Sequence, residues 1–232
     1  MPESGRFILL ALALAGAALA LVVGGARRAA PAASSAGYAR YRVDAATANR
    51  DGLPVLPRAT RAATFRFAPG TAPADRAAVL DAIARSRPAA RRLVGLVDGL
   101  VDVRIGPAGR PGAIGLTQPG ARYAVTLDLG TVARAFGRRG IDRVVLHELG
   151  HVVDFALLPD DVMARLQAGI PTGFGCDEGI SGACANARER FAESFAKWAT
   201  GDIGVDLGAG YKVPPPGPTL DAWGAPLERL GR

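Results

Sequence analysis

The chain has 232 residues, about one and a half times a common domain length, so one folded domain with an appended segment is expected. With 49% hydrophobic and 21% charged residues it can bury a sizeable core, which excludes a wholly disordered chain, and its two His and two Cys exclude a zinc-finger array, a cytochrome-like haem protein and a disulfide-dense miniprotein. Basic residues outnumber acidic ones by 28 to 21, but only Lys197 and Lys212 are lysines; an arginine excess in so Ala-, Gly- and Pro-heavy a chain often reflects base composition and is a weak argument for a nucleic-acid partner, although a cationic exported protein would tend to adhere to anionic walls or lipid headgroups.

Residues 7–23 (FILLALALAGAALALVV) are an unbroken run of apolar or small residues, with Arg6 before it and Arg27 and Arg28 after it. At 1.5 Å per residue the 17 residues reach about 25 Å, slightly short of the hydrocarbon thickness of a bilayer. Residues 1–26 therefore read as a signal peptide or an N-terminal membrane anchor, with small residues at signal-peptidase spacing at Ala18 and Ala20 and again at Gly24 and Ala26. Arg27 and Arg28 could hold the following chain in the cytoplasm, but a Cys pair fits an oxidising compartment better. An extracytoplasmic protein is expected, secreted or held to the membrane by this segment. Residues 27–63 form an Ala-, Pro- and Arg-rich linker without sustained periodicity.

The folded domain is expected over 64–205. Residues 64–67 alternate like a strand, and 73–85 place Ala77, Leu80, Ile83 and Ala84 at helical spacing after a candidate cap at Thr71. A helix over 89–100 follows Pro88. Strands are predicted over 101–105 and 122–129, separated by a Gly- and Pro-rich loop over 106–115 that lacks the Gly-Lys-Ser/Thr end of a phosphate loop. Helices are predicted over 138–158, 159–168 and 187–200, and 206–232 reads as an irregular tail laid on the surface.

His147-Glu148-Leu149-Gly150-His151 is an H-E-x-x-H motif set among Ile141, Val144, Val145, Val152 and Phe155, a helical context. Residues four apart differ by about 40° after a full turn, so both imidazoles leave one face and can clamp a divalent metal. Glu148, about 100° round from His147, is placed to act as a general base without becoming a ligand. The bland alternative makes both His ordinary helix-surface residues, but the motif uses every histidine in the chain. A serine or cysteine triad would have to take its base from that motif and is disfavoured.

A catalytic zinc needs a third protein ligand. No His remains, and the continuation of the motif in which another His follows is absent, Asp154 and Leu157 standing there instead. In Arg188-Glu189-Arg190-Phe191-Ala192-Glu193-Ser194-Phe195-Ala196 the two carboxylates share one face and the two phenylalanines another. Glu189 is the candidate third ligand, and Glu193 the acceptor for the far nitrogen of a liganding His. Alternatively Glu189 closes a capping box on Asn186, and Glu193 is a solvated helix-face carboxylate. Cys176 and Cys184 bracket a Gly-rich loop and read as a disulfide worth about 2–3 kcal/mol of loop entropy, with two unpaired buried thiols as the alternative.

The two blocks together, H-E-L-G-H-x-V-D followed by E-x-F-A-E-x-F-A, resemble the gluzincin zinc metallopeptidases, particularly the lethal-factor and Pro-Pro endopeptidase group, over about a quarter of the chain. The resemblance implies an α+β, zincin-like domain with a small mixed sheet and an active-site helix carrying the motif. It implies Zn2+ on His147, His151 and Glu189, with Glu148 as base, and it places Asp154 beside the site in support, an ordinary helix charge being the alternative. It also suggests that Tyr123, Val125 and Leu127 form an edge strand that pairs with extended substrate, against the alternative of a core strand. One departure stands out: that group has a tyrosine shortly before the third-ligand Glu, and residues 180–188 contain no Tyr. Tyr123 or Tyr211 is the remaining candidate for its role; otherwise activity is weak or the substrate differs.

The expectation is thus an exported or membrane-tethered zinc metalloendopeptidase, monomeric, acting on peptides or proteins and not on nucleic acid. Its alternatives are a catalytically weak or inactive zincin-fold binding module at the cell surface, or adhesion to anionic wall polymers through the arginines.

Overall fold

A computed structural model of the chain describes residues 65–110, 112–172, 185–203 and 213–230. The expected leader or anchor, the linker over 27–63, Cys176, Cys184 and Tyr211 lie outside the described residues. In chain order the elements are β1 Arg66–Phe67, α1 Pro73–Arg85, α2 Pro88–Gly95, a 3-10 turn Asp98–Leu100, β2 Val101–Ile105, β3 Gly115–Gln118, β4 Tyr123–Leu127, α3 Leu129–Leu157, α4 Asp160–Ala168, α5 Ala187–Thr200 and α6 Leu220–Leu230. This is an α+β arrangement with a small mixed sheet. Among the described residues no helix is long and apolar enough to cross a membrane.

The sheet runs β1-β2-β4-β3, with β1, β2 and β4 parallel and β3 antiparallel to β4. Alternation in β2 and β4 turns Val101, Val103, Tyr123, Val125 and Leu127 to the buried face. β4 is therefore an interior strand: Tyr123, Val125 and Leu127 pair with β2 on one side and β3 on the other, which corrects the expectation of an edge strand there. Both rows of β4 main-chain groups are already used within the sheet, so none remains for an extended peptide. The strand at that end of the sheet is β3, which falls in a stretch whose neighbouring Gly and Pro conceal four residues of strand.

Local chemistry explains where helices begin and end. At α1 the cap position is Ala72 and Pro73 opens the helix; the Thr71 hydroxyl donates instead to the Ala68 carbonyl at 2.7 Å, so the expected Thr71 cap is not formed. α2 stops at Gly95, short of the predicted 100, and gives way to the 3-10 turn, because Gly95 and Gly99 weaken helical continuation. α3 starts earlier than predicted: the Asp128 carboxylate accepts the Thr131 N–H at 3.0 Å and caps a first segment. Gly137, at φ 61° and ψ −155°, then breaks the run before the motif-bearing part. The tail also differs from expectation. Leu220–Leu230 is a helix whose Trp223, Gly224 and Leu227 are buried, held where Trp223 Nε1 donates to the Leu166 carbonyl at 2.9 Å. Scattered Gly and Pro around it disguise the short apolar face.

α3 and α5 pack face to face, with the fully buried Ala192 and Phe195 of α5 against Gly150 of α3, while Phe191 and Trp198 meet Trp223 and Gly224 of α6. Gly150 eases their close approach: a Cβ there would lie 3.1 Å from the Phe195 ring and 3.3 Å from the Ala192 Cα, so the neighbours would have to give by a few tenths of an ångström. The glycine inside the H-E-L-G-H motif thus lies in the contact between the two helices that carry the candidate site.

Candidate metal centre

The helical spacing in α3 brings the His147 and His151 rings edge to face with centroids 5.0 Å apart. α5 supplies the carboxylate opposite. Asn186 caps that helix, accepting the N–H groups of Arg188 at 2.9 Å and Glu189 at 3.1 Å, while the Glu189 side chain turns away from the cap toward the rings. Glu189 Oε2 lies 3.2 Å from His147 Nε2 and 3.3 Å from His151 Nε2, and one ligand atom from each residue falls within 4.8 Å of the others. Four ligands at the usual Zn–N and Zn–O lengths form a tetrahedron with edges of about 3.3 Å. The two His–Glu separations match that edge, and two imidazoles with one carboxylate are a donor set suited to zinc.

The charges around this triad are strongly coupled. Burial works against the His147 cation, but hydrogen bonds to Glu189 and Glu193 and the charge of Glu148 outweigh it and push the ring up to about 10. Burial would raise Glu189, yet the His151 and His147 rings hold it well below the usual carboxylate range. A divalent cation bound here would displace the proton that lies between His147 and Glu189.

A second layer fixes the rings. His147 Nδ1 faces Glu193 Oε2 at 3.1 Å, as the sequence pattern suggested. Glu193 Oε1 in turn accepts Arg143 Nη2 at 2.6 Å and Lys197 Nζ at 3.1 Å. Burial opposes ionisation of Glu193, but the His147 bond and these two cations bring it down to about 2. His151 is held differently. Its Nδ1 has no hydrogen-bond partner among the described residues, and its ring stacks on Phe155, with centroids 6.0 Å apart. Phe155 also stacks on Tyr123 and lies under the Arg188 guanidinium, which pairs with the buried Asp154 carboxylate at 3.1 Å. Asp154 thus sits beside the site and anchors the arginine next to Glu189.

Glu148 points to the sheet. The Thr117 hydroxyl on β3 donates to its Oε2 at 2.7 Å, and Gly115 leaves room for the carboxylate where any Cβ would collide with Oε1. Tyr123 is buried within the core, its hydroxyl pushed up by burial and without a hydrogen-bond partner among the described residues. It is closed off from solvent.

The structure therefore gathers His147, His151 and Glu189, with Glu193 against His147 and the Glu148 carboxylate turned to β3; Cys176, Cys184 and Tyr211 fall outside the described residues. Four contributors escaped the sequence reading. Arg143 and Lys197 carried a signal, each one helical turn from a site residue, but Gly115 and Thr117 reach the site only through tertiary packing. Compared with protein-family models, with curated proteins and with solved structures, the chain gives no match.

Proposed function

We propose that the chain is a zinc metallopeptidase of gluzincin type on a zincin-like fold, exported or tethered to the membrane through residues 1–26, and acting on peptide or protein substrates. The observation that carries the reading is the approach of Glu189 Oε2 to both Nε2 atoms at 3.2 and 3.3 Å from a separate helix. His147, His151 and Glu189 would hold the ion. Zinc bound by such a set supplies Lewis acidity that polarises a scissile carbonyl and acidifies a water molecule.

The chain's own residues supply the rest. Glu148, one residue from a ligand but not itself among the three, accepts the proton of the attacking water on its carboxylate and returns it to the departing amine nitrogen. Thr117 keeps the carboxylate from swinging, because its hydroxyl is committed to Oε2. Glu193 holds the Nδ1–H of His147 and so aims the lone pair of Nε2 inward.

The test is metal analysis joined to a diverse peptide library read by mass spectrometry. Cleavage that stops on chelation, returns with zinc and is lost in a zinc-loaded Glu148→Gln variant supports the reading; cleavage by that variant at the parent rate removes Glu148 from its role. The buried Tyr123 hydroxyl favours one second reading, a zincin-fold surface module that binds peptides without cutting them. Any zinc-dependent cleavage by the parent eliminates it.

A further inference from the structure

The Glu193 carboxylate serves one imidazole on one oxygen and two cations on the other. Oε2 takes His147 Nδ1 at 3.1 Å, while Oε1 takes Arg143 through Nη2 at 2.6 Å and Nε at 3.2 Å, and Lys197 Nζ at 3.1 Å. The Glu193, Arg143 and Lys197 side chains are 3%, 5% and 1% exposed, so their charges meet with little screening. Two cations bear on the one carboxylate that faces a candidate metal ligand, and the Asp202 carboxylate also acts on Lys197. Remaining donors are placed on main-chain carbonyls, Arg143 Nη1 on Asp202 at 2.8 Å and Lys197 Nζ on Val213 at 2.5 Å. One cation would suffice to neutralise Glu193, and burying a second is costly. The second buried cation on Oε1 therefore calls for a functional explanation.

We infer that Arg143 and Lys197 are positioning residues that act on His147 through Glu193, drawing charge out of the carboxylate so that the ring keeps its Nδ1 proton and donates less electron density through Nε2. The inference rests on the zinc reading of the site. A more basic Glu193 would pull harder on the Nδ1 proton, make Nε2 a richer donor, bind a cation more tightly and blunt the electrophilicity that peptide hydrolysis draws on. Arg143 and Lys197 thus exchange metal affinity for reactivity.

The sign of the effect gives the test. In the full-length Lys197→Met variant, zinc is expected to bind about tenfold more tightly, measured against a competing chelator, while kcat on a peptide substrate falls about tenfold. Lys197→Arg should return both values toward the parent. A merely structural lesion at the α3–α5 contact would weaken metal binding and catalysis together. Zinc affinity that is unchanged or lower in folded Lys197→Met overturns the inference. If near-ultraviolet circular dichroism shows that Lys197→Met has lost its packing, Lys197→Gln, which retains a neutral donor for the Val213 carbonyl, takes its place with the same expectations. A parent that takes up no zinc overturns the metal reading and this inference with it. A parent that binds zinc but cuts nothing overturns the peptidase reading alone, and the affinity arm still decides the role of Lys197.

Discussion

Thr117 and Glu148, on a strand and a helix, meet through a single buried hydrogen bond of 2.7 Å from hydroxyl to Oε2. The same hydroxyl lies 3.0 Å from the Glu148 main-chain carbonyl, but it has one proton and the charged carboxylate is the stronger acceptor. Removing the hydroxyl while keeping the shape frees the carboxylate to rotate. On the proposed function, Thr117→Val is expected to lower kcat about tenfold with zinc content unchanged, since among the described residues its hydroxyl bonds Glu148 and not the candidate ligands, and Thr117→Ser should restore most of the rate. Steady-state kinetics with metal analysis on the same samples checks this; parent-level kcat in Thr117→Val would show that the bond does not position the base.

Gly115 presents a sharper constraint on the same carboxylate. A methyl group there would occupy the space of Glu148 Oε1, and the neighbouring Cδ and Cγ leave no gap to take up the displacement. Gly115→Ala must push either β3 or the Glu148 side chain aside. Peptide hydrolysis is expected to fall by about a hundredfold, a loss in the range seen when a general base is misplaced, with zinc retained on His147, His151 and Glu189. A variant with normal turnover would mean that the carboxylate works from another rotamer.

How much of this was legible beforehand follows from the range of the interactions. His147, Glu148 and His151 are set by helix period, and the Glu189–Glu193 pair by one turn of α5, so both could be read directly. Helices starting at Pro73 and Pro88 and the strands Val101–Ile105 and Tyr123–Leu127 had equally local signatures. The strand order did not. Whether Tyr123–Leu127 lies at an edge depends on β3 joining its far side, and a four-residue strand after a Gly- and Pro-rich loop has no periodicity to announce it. Likewise the burial of Trp223 and Gly224 against Trp198 and Leu166 comes from contacts distant in sequence, which is why α6 looked like a tail. Lys197 shows the middle case: it stands one turn from Glu193 on α5, a local relationship, but only the fold buries the pair and gives it its weight.

That burial makes Glu193 a structural keystone as well as a site residue. Deleting its charge leaves Arg143 and Lys197 as two adjacent buried cations with no carboxylate between them. Breaking a buried pair by removing one partner costs about 3–5 kcal/mol, far above the effect of losing an exposed ion pair such as Arg165–Asp161. Glu193→Gln is therefore expected to lower folding stability by about 3–5 kcal/mol, whereas Asp161→Asn changes it by less than about 1 kcal/mol. Urea unfolding of both variants in the presence of chelator, which removes any metal contribution, measures the difference. Equal midpoints would mean that the network carries little of the α3–α5 contact.

The pH dependence of metal uptake has a defined sign. Without metal, the folded protein holds His147 protonated to about 10, against an unfolded value near 6.5, because Glu189 and Glu193 face its two nitrogens. A folded pKa raised in this way stabilises the metal-free fold fully below pH 6.5, and that contribution is lost as pH rises through about 10. Zinc needs the lone pair on Nε2, so binding must expel this proton. Between pH 6.5 and 8.5 the apparent zinc affinity is expected to climb about tenfold per pH unit, with about one proton released per ion bound. Calorimetric titration in two buffers of different ionisation enthalpy counts the proton directly. A flat affinity over that range, with no buffer dependence of the heat, would mean that His147 is already neutral and that the carboxylates around it do not act as described.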